Sequence, residues 1–200
     1  DRIAGELRSQ GRKPYVIHLG VDYPPLGGLG YAAAATETLI QYEARNDLPD
    51  YVVIPSGSAA THAGFLAGAR ALGWEVPVLG ICVRRIADLQ RPRVEKCATK
   101  IAKMLTNQHI ISKNDIQLED SCLAPGYGQM NDYVYDAIRL AATTEGLLFD
   151  PVYSGRAMAG LINHVKSGTI EPGSKVLFFH TGGHPGIFAY QNDLLKPAII

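Results

Sequence analysis

An α/β domain with a mostly parallel, twisted sheet and helices on both faces is predicted by three observations. Short β-branched and aromatic runs alternate with helical runs along the whole chain. No hairpin signal joins any two of the strand runs, so the crossovers are helical and right-handed. Loops of unusual composition follow Ile54, surround Tyr127, and follow Phe149 and Phe179. Ligands of open parallel sheets sit beyond the carboxyl ends of strands, so these four loops are expected to converge on one crevice.

The elements follow in order. Asp1 to Gln10 reads as the end of an amphipathic helix with Ile3 and Leu7 on one face, stopped by Gly11. Pro14–Leu19 is a predicted strand, Gly20 to Gly30 a Gly/Pro loop, and Tyr31 to Ala44 a helix. Tyr51–Ile54 is a buried strand. A loop of small and hydroxyl residues leads from it into a helix over Ala63–Leu72 that ends near Gly73. Val76–Val83 is the next strand, and Pro92 to about Thr106 a helix with Val94, Cys97, Ile101 and Leu105 inward. Lys96, Lys100 and Lys103 form its solvated face. Asp115–Glu119 is a short strand and Ala124–Gly128 a tight loop. Asp132–Glu145 is a helix capped by Gly146, and Leu147–Phe149 is strand-like. Ala157–Lys166 is a helix and Lys175–His180 a strand. The tail is irregular. No internal repeat or low-complexity segment is present.

Two hundred residues, 46% of them apolar, suffice for one large domain with a sizeable core. Formal net charge is zero and no basic stripe exists, which argues against nucleic acid as a partner. The apolar runs are short and interrupted by glycines and charges, which argues against a membrane span. Cys82, Cys97 and Cys122 are scattered and form no Cys-x-x-Cys pair, which fits a reduced, cytoplasmic setting. No metal-ligand spacing links the histidines. The chain opens in mid-helix without Met, and is read as an internal piece of a longer protein.

The stretch from Ser56 to Gly64 carries the strongest chemistry. Backbone N–H groups, hydroxyls and a helix N-terminus meet there, which makes an anion site with phosphate as its usual guest. An ordinary strand–helix connection with a Ser/Thr N-cap is the alternative. The loop is neither a Walker sequence nor Gly-x-Gly-x-x-Gly. Tyr127 lies between two glycines and Tyr153 just before Ser-Gly. Each is either a proton donor or a packing residue. His180 is read as a hydrogen-bonded structural residue. Thr181 precedes Gly182-Gly183, where glycine permits close approach to a flat ligand.

Ser56-Gly57-Ser58-Ala59-Ala60-Thr61-His62-Ala63-Gly64, the run Glu145 to Ile162 and Phe179-His180-Thr181-Gly182-Gly183 together resemble the D-cysteine desulfhydrase and 1-aminocyclopropane-1-carboxylate deaminase family. Arg12 to Ile17 and Gly27 to Tyr31 resemble it too. These are pyridoxal-phosphate enzymes of the tryptophan-synthase-β fold type. The resemblance covers essentially the whole chain. It implies that residues 1–45 are a remnant of a smaller domain with the crossover, and 46–200 the larger, cofactor-binding domain. It implies that Gly57, Ser58, Ala59, Ala60 and Thr61 cup the phosphate of pyridoxal 5'-phosphate, and that Thr181 meets the pyridine nitrogen. Tyr127 and Tyr153 match the two tyrosines near a small amino-acid substrate. A homodimer is implied as well.

The deaminases carry Glu where this chain has Ser154 and Leu where it has Thr181. A neutral hydroxyl makes the ring a weaker electron sink than a carboxylate does, which suits loss of a good β-leaving group. D-Cysteine to pyruvate, ammonia and sulfide is therefore the implied reaction. Cyclopropane deamination, L-cysteate sulfo-lysis and a catalytically incompetent piece are the alternatives. The family's Schiff-base lysine matches no residue here, because the eight lysines present lack its surroundings. On that ground the chain is expected to be the C-terminal part of such an enzyme, inactive by itself and exposing apolar surface. Two departures stand out. Ala59-Ala60 replaces Gly-Gly or Gly-Ser in the cup, and alanine is expected to exclude positive φ there. Gly20-Val21-Asp22-Tyr23 replaces the family's Gly-Gly-Ser-Asn.

Overall fold

Tyr51-Val52-Val53-Ile54 is β-branched on three consecutive positions, and it forms the core of strand β1 (Tyr51–Ser56) at the centre of the molecule. The structure, a computed structural model, describes residues 1–18, 20–105 and 111–195. Leu19 and Thr106, the far ends of two predicted elements, and Lys196 lie outside them.

Four parallel strands make one sheet in the order β3-β2-β1-β4. β2 is Val78–Cys82, β3 Gln117–Glu119 and β4 Val176–Phe178. Val52 aligns with Val78 and with Leu177, and Leu79 with Gln117. The pleat sends Val52, Ile54 and Val78 to one face, and Val53, Leu79 and Ile81 to the other. On the first face pack α2 (Leu26–Glu43), α3 (Ala60–Ala71) and α4 (Ala87–Met104). α5 (Asp132–Glu145) and α6 (Ser154–Lys166) cover the second. A short α1 (Arg2–Ser9) precedes them, and a 3₁₀ turn with a small α7 (Gln191–Leu194) closes the described chain. The predicted class is the observed one.

Several element boundaries differ from expectation, each for a local reason. Pro14 to His18 forms no strand and pairs with none among the described residues. Tyr15 is 85% exposed and Ile17 76%. Leu147–Phe149 is likewise unpaired, although Phe149 is buried against Phe178 and His180. α2 starts at Leu26, not Tyr31, and takes in three glycines. Close packing overrides their poor helix propensity. A Cβ on Gly64 of α3 would stand 2.3 Å from the Gly28 carbonyl, and one on Gly68 2.6 Å from that of Ala32.

α4 begins at Ala87, five residues before Pro92, because the Asp120 carboxylate accepts the Ala87 N–H at 2.6 Å. Its Lys96 and Lys100 are not merely solvated. Lys96 pairs with Asp22 at 2.7 Å, and Lys100 donates to the Val21 carbonyl at 2.7 Å, which anchors the 21–23 turn to the helix. α6 begins at Ser154, not Ala157, again through a carboxylate: Asp150 accepts the N–H groups of Val152, Tyr153 and Ser154 at 2.8–2.9 Å. α3 starts three residues before its predicted first residue. The predicted strands at 115–119 and 175–180 are shorter, and the tail, expected to be irregular, forms its two short turns. All three cysteines are buried and free.

Candidate functional site

A cleft of about 320 Å³ lies beyond the carboxyl ends of β1 and β4. Its wall includes Gly57, Ser58, Ala59, Thr61, Tyr153 and Thr181. Ala60 is the first residue of α3, between two of these. The loops after β1, before α6 and after β4 therefore meet as expected. Tyr127 joins them through its hydroxyl, which lies 2.8 Å from that of Tyr153. Tyr31 and His62 also reach the cleft and were not expected there.

The Ser/Thr N-cap that one reading of the Ser56–Gly64 stretch required is not formed. No side chain caps α3, and the N-cap position is Ala59 rather than a serine or threonine. The first backbone bond of the helix runs from the Ala63 N–H to the Ala59 carbonyl. The preceding N–H groups thus stand at a positive helix end in the wall of a cleft, the arrangement that binds anions. Ala59 adopts φ +83° and ψ −23° while buried. The expectation that alanine would exclude positive φ is overturned. The turn from β1 into α3 demands a left-handed residue, at a cost of about 1–2 kcal/mol for a non-glycine. Gly57 is glycine for space: a Cβ would meet Val83 at 3.0 Å and the Tyr153 ring at 3.3 Å.

Beneath the loop lies a buried polar network. Gln90 Nε2 donates to Ser56 Oγ at 3.0 Å and to the Gly57 carbonyl at 3.2 Å. Arg85 donates to the same carbonyl at 3.1 Å. Ser56 Oγ is 3.3 Å from His62 Nδ1. Burial pushes the His62 imidazole down to about 4, so it is neutral at pH 7.

Against this loop packs the tyrosine pair. The two rings meet edge to face at 6.0 Å. Burial, reinforced by the Tyr127 hydroxyl, pushes the Tyr153 phenol up to about 12. The Arg84 guanidinium lies 5.5 Å from the Tyr127 ring centroid. The loop that carries Tyr127 is tied down by Arg156, whose side chain is completely buried. Its guanidinium donates to the carbonyls of Cys122, Leu123, Gly126 and Gln129. Sequence reasoning missed Gln90, Arg85 and this role of Arg156.

Thr181 lines the cleft, and its hydroxyl makes no hydrogen bond among the described residues. His180 is structural, as expected: it contacts the Leu148 carbonyl through Nε2 at 3.0 Å and accepts the Gly182 N–H on Nδ1 at 3.2 Å. Gly183 is needed less for a flat ligand than for Asp150, whose Cγ would lie 2.7 Å from an added Cβ. Ser154 turns away from solvent and donates to Asp150 at 2.7 Å. Among the described residues, no carboxylate and no lysine lines the cleft. No metal-binding cluster exists among the described residues, and none of their helices is long and apolar enough to cross a membrane.

Residues 1–182 match the family of pyridoxal-phosphate dependent enzymes. The chain belongs to that family. It is 40% identical over 194 residues to a D-cysteine desulfhydrase of Klebsiella pneumoniae, covering 97% of this chain and 58% of that protein. It is 41% identical over 189 residues to a D-cysteine desulfhydrase of Salmonella schwarzengrund, covering 94% and 56%. A crystal structure described as an ACC deaminase homologue superposes with a TM-score of 0.84 at 35% identity, covering 98% of this chain and 57% of that one. The chain thus spans somewhat more than half the length of the relatives it matches. The fold and the cofactor family indicated by the sequence motifs are those found.

Proposed function

We propose that this chain forms the phosphate-binding side of a pyridoxal-phosphate lyase. The reaction converts D-cysteine and water to pyruvate, ammonia and hydrogen sulfide. The observation that carries the reading is the uncapped start of α3 in a cleft that also holds a free threonine hydroxyl and, among the described residues, no carboxylate.

The residues fit the cofactor. Gly57 to Thr61 would hold its phosphate with backbone N–H groups and the Ser58 and Thr61 hydroxyls, and Thr181 would meet its ring nitrogen. The bound cofactor supplies an electron sink for the charge left at Cα when its proton departs. Thr181 is uncharged, and the Ser154 hydroxyl is engaged by Asp150. The ring nitrogen therefore faces a neutral partner, which favours expulsion of a β-thiol over opening of a strained ring.

Tyr153 keeps its proton at neutral pH, with its pKa raised to about 12. It acts as a hydrogen-bond donor to the substrate carboxylate or the departing sulfur, and not as a base. Tyr127 orients that hydroxyl. Removal of the Cα proton is assigned to none of the residues lining the cleft.

The native protein that carries this chain, loaded with cofactor, is expected to release sulfide and pyruvate from D-cysteine. Formation of 2-oxobutanoate from 1-aminocyclopropane-1-carboxylate without sulfide, sulfite from L-cysteate alone, or no turnover would overturn the reading.

A further inference from the structure

Among the described residues, the Gly57–Ser58 peptide is held from one side only. Its carbonyl accepts from Gln90 Nε2 at 3.2 Å and from Arg85 at 3.1 Å. Gln90 is fully buried on α4, and its second bond, to Ser56 Oγ, fixes the amide in place. In a trans peptide the next N–H points opposite to the carbonyl. With the Gly57 carbonyl turned toward α4, the Ser58 N–H turns away from it. α4 packs toward β3 at one edge of the sheet, whereas Thr181 follows β4 at the other. The Ser58 N–H is thereby directed to the cleft side of the loop.

We propose that Gln90 and Arg85 are positioning residues of the anion loop, holding the Gly57 carbonyl away so that the Ser58 N–H faces the phosphate. The inference rests on the phosphate reading above and adds to it two residues that need never touch the ligand. Gln90 separates orientation from charge, because it is neutral. A loss of phosphate affinity on its removal is not a loss of attraction to a cation.

The test compares equilibrium binding of pyridoxal phosphate and of pyridoxal by the full chain and by Gln90→Leu. Each ligand meets the same surface lysines in the wild type and in the variant, so reaction with them cancels when the two proteins' affinity ratios are compared. In Gln90→Leu the preference for the phosphorylated ligand falls about ten- to a hundredfold, the worth of one hydrogen bond to a charged group. Pyridoxal affinity stays the same. An unchanged ratio, or an equal loss for both ligands as a merely structural role would give, overturns the inference and leaves the phosphate reading standing. A wild type that does not prefer the phosphorylated ligand removes both. Should Gln90→Leu fail to fold, Gln90→Met removes the same neutral donor with a side chain closer in length, and the ratio must fall there as well.

Discussion

The two walls of the cleft are built in opposite ways. The phosphate side is a backbone device: a helix end, a left-handed Ala59, and a peptide oriented by an amide from below. The tyrosine side is a side-chain device, in which two phenols from distant loops touch at 2.8 Å. One buried guanidinium holds the loop of one phenol to the helix that begins at the other. The first wall spends strain and keeps its N–H groups free. The second satisfies four carbonyls and pairs its two hydroxyls with each other. A backbone site suits a ligand group shared by every turnover, whereas a side-chain site suits a substrate that changes charge during one.

The largest break in this comparison is Arg156→Met. It strands the buried Cys122 carbonyl and the more exposed carbonyls of Leu123, Gly126 and Gln129, and should cost roughly 2–3 kcal/mol in urea unfolding. In any folded population the Tyr127 loop is released while pyridoxal phosphate affinity is retained. Equal loss on both walls would show that they are one unit.

A pH test breaks the other wall. His62 is depressed to about 4 in the folded state. The unfolded chain, at about 6.5, takes up the proton first, so stability falls as pH drops from about 6.5 to about 4, by up to ~3 kcal/mol. His62→Phe should remove most of that slope, as followed by thermal melts across the window. A slope that persists would place the titrating group elsewhere.

Both missed supports have the same history. Gln90 and Arg156 sit in first turns of helices that the sequence places in loops. Those turns exist because Asp120 and Asp150, remote or turned inward, accept their N–H groups. A cap supplied from another element leaves no local signature, so neither residue could be assigned a buried helical face. The strand runs of β1, β2 and β4, the Gly146 stop and the turn from β1 into α3 carry their causes locally, and they were legible. The fate of Pro14 to His18 was not, because a strand needs a neighbour and pattern alone does not supply one.

Smaller effects sharpen the contrast. Tyr127→Phe removes the hydroxyl that helps raise Tyr153, so that phenol should titrate below about 12. Burial, the larger cause, remains, so the shift back is partial. Labelled-tyrosine NMR reads it directly. A Tyr153 titration unmoved by the substitution would deny the pair.

Ala59→Gly is the smallest. Relief of about 1–2 kcal/mol of backbone strain is offset by unfolded-chain entropy and the loss of a buried methyl. Stability should move by less than about 1 kcal/mol in either direction. A larger loss would mean that the methyl, and not the turn, organises the loop.

The central claim is that the start of α3 is a seat for the phosphate of pyridoxal phosphate. A crystal structure of the protein grown with that cofactor tests it most directly. The account predicts phosphate oxygens within hydrogen-bond distance of the N–H groups from Ser58 to Thr61, with the ring nitrogen toward Thr181. A phosphate bound elsewhere, with the start of α3 left to water, would contradict it.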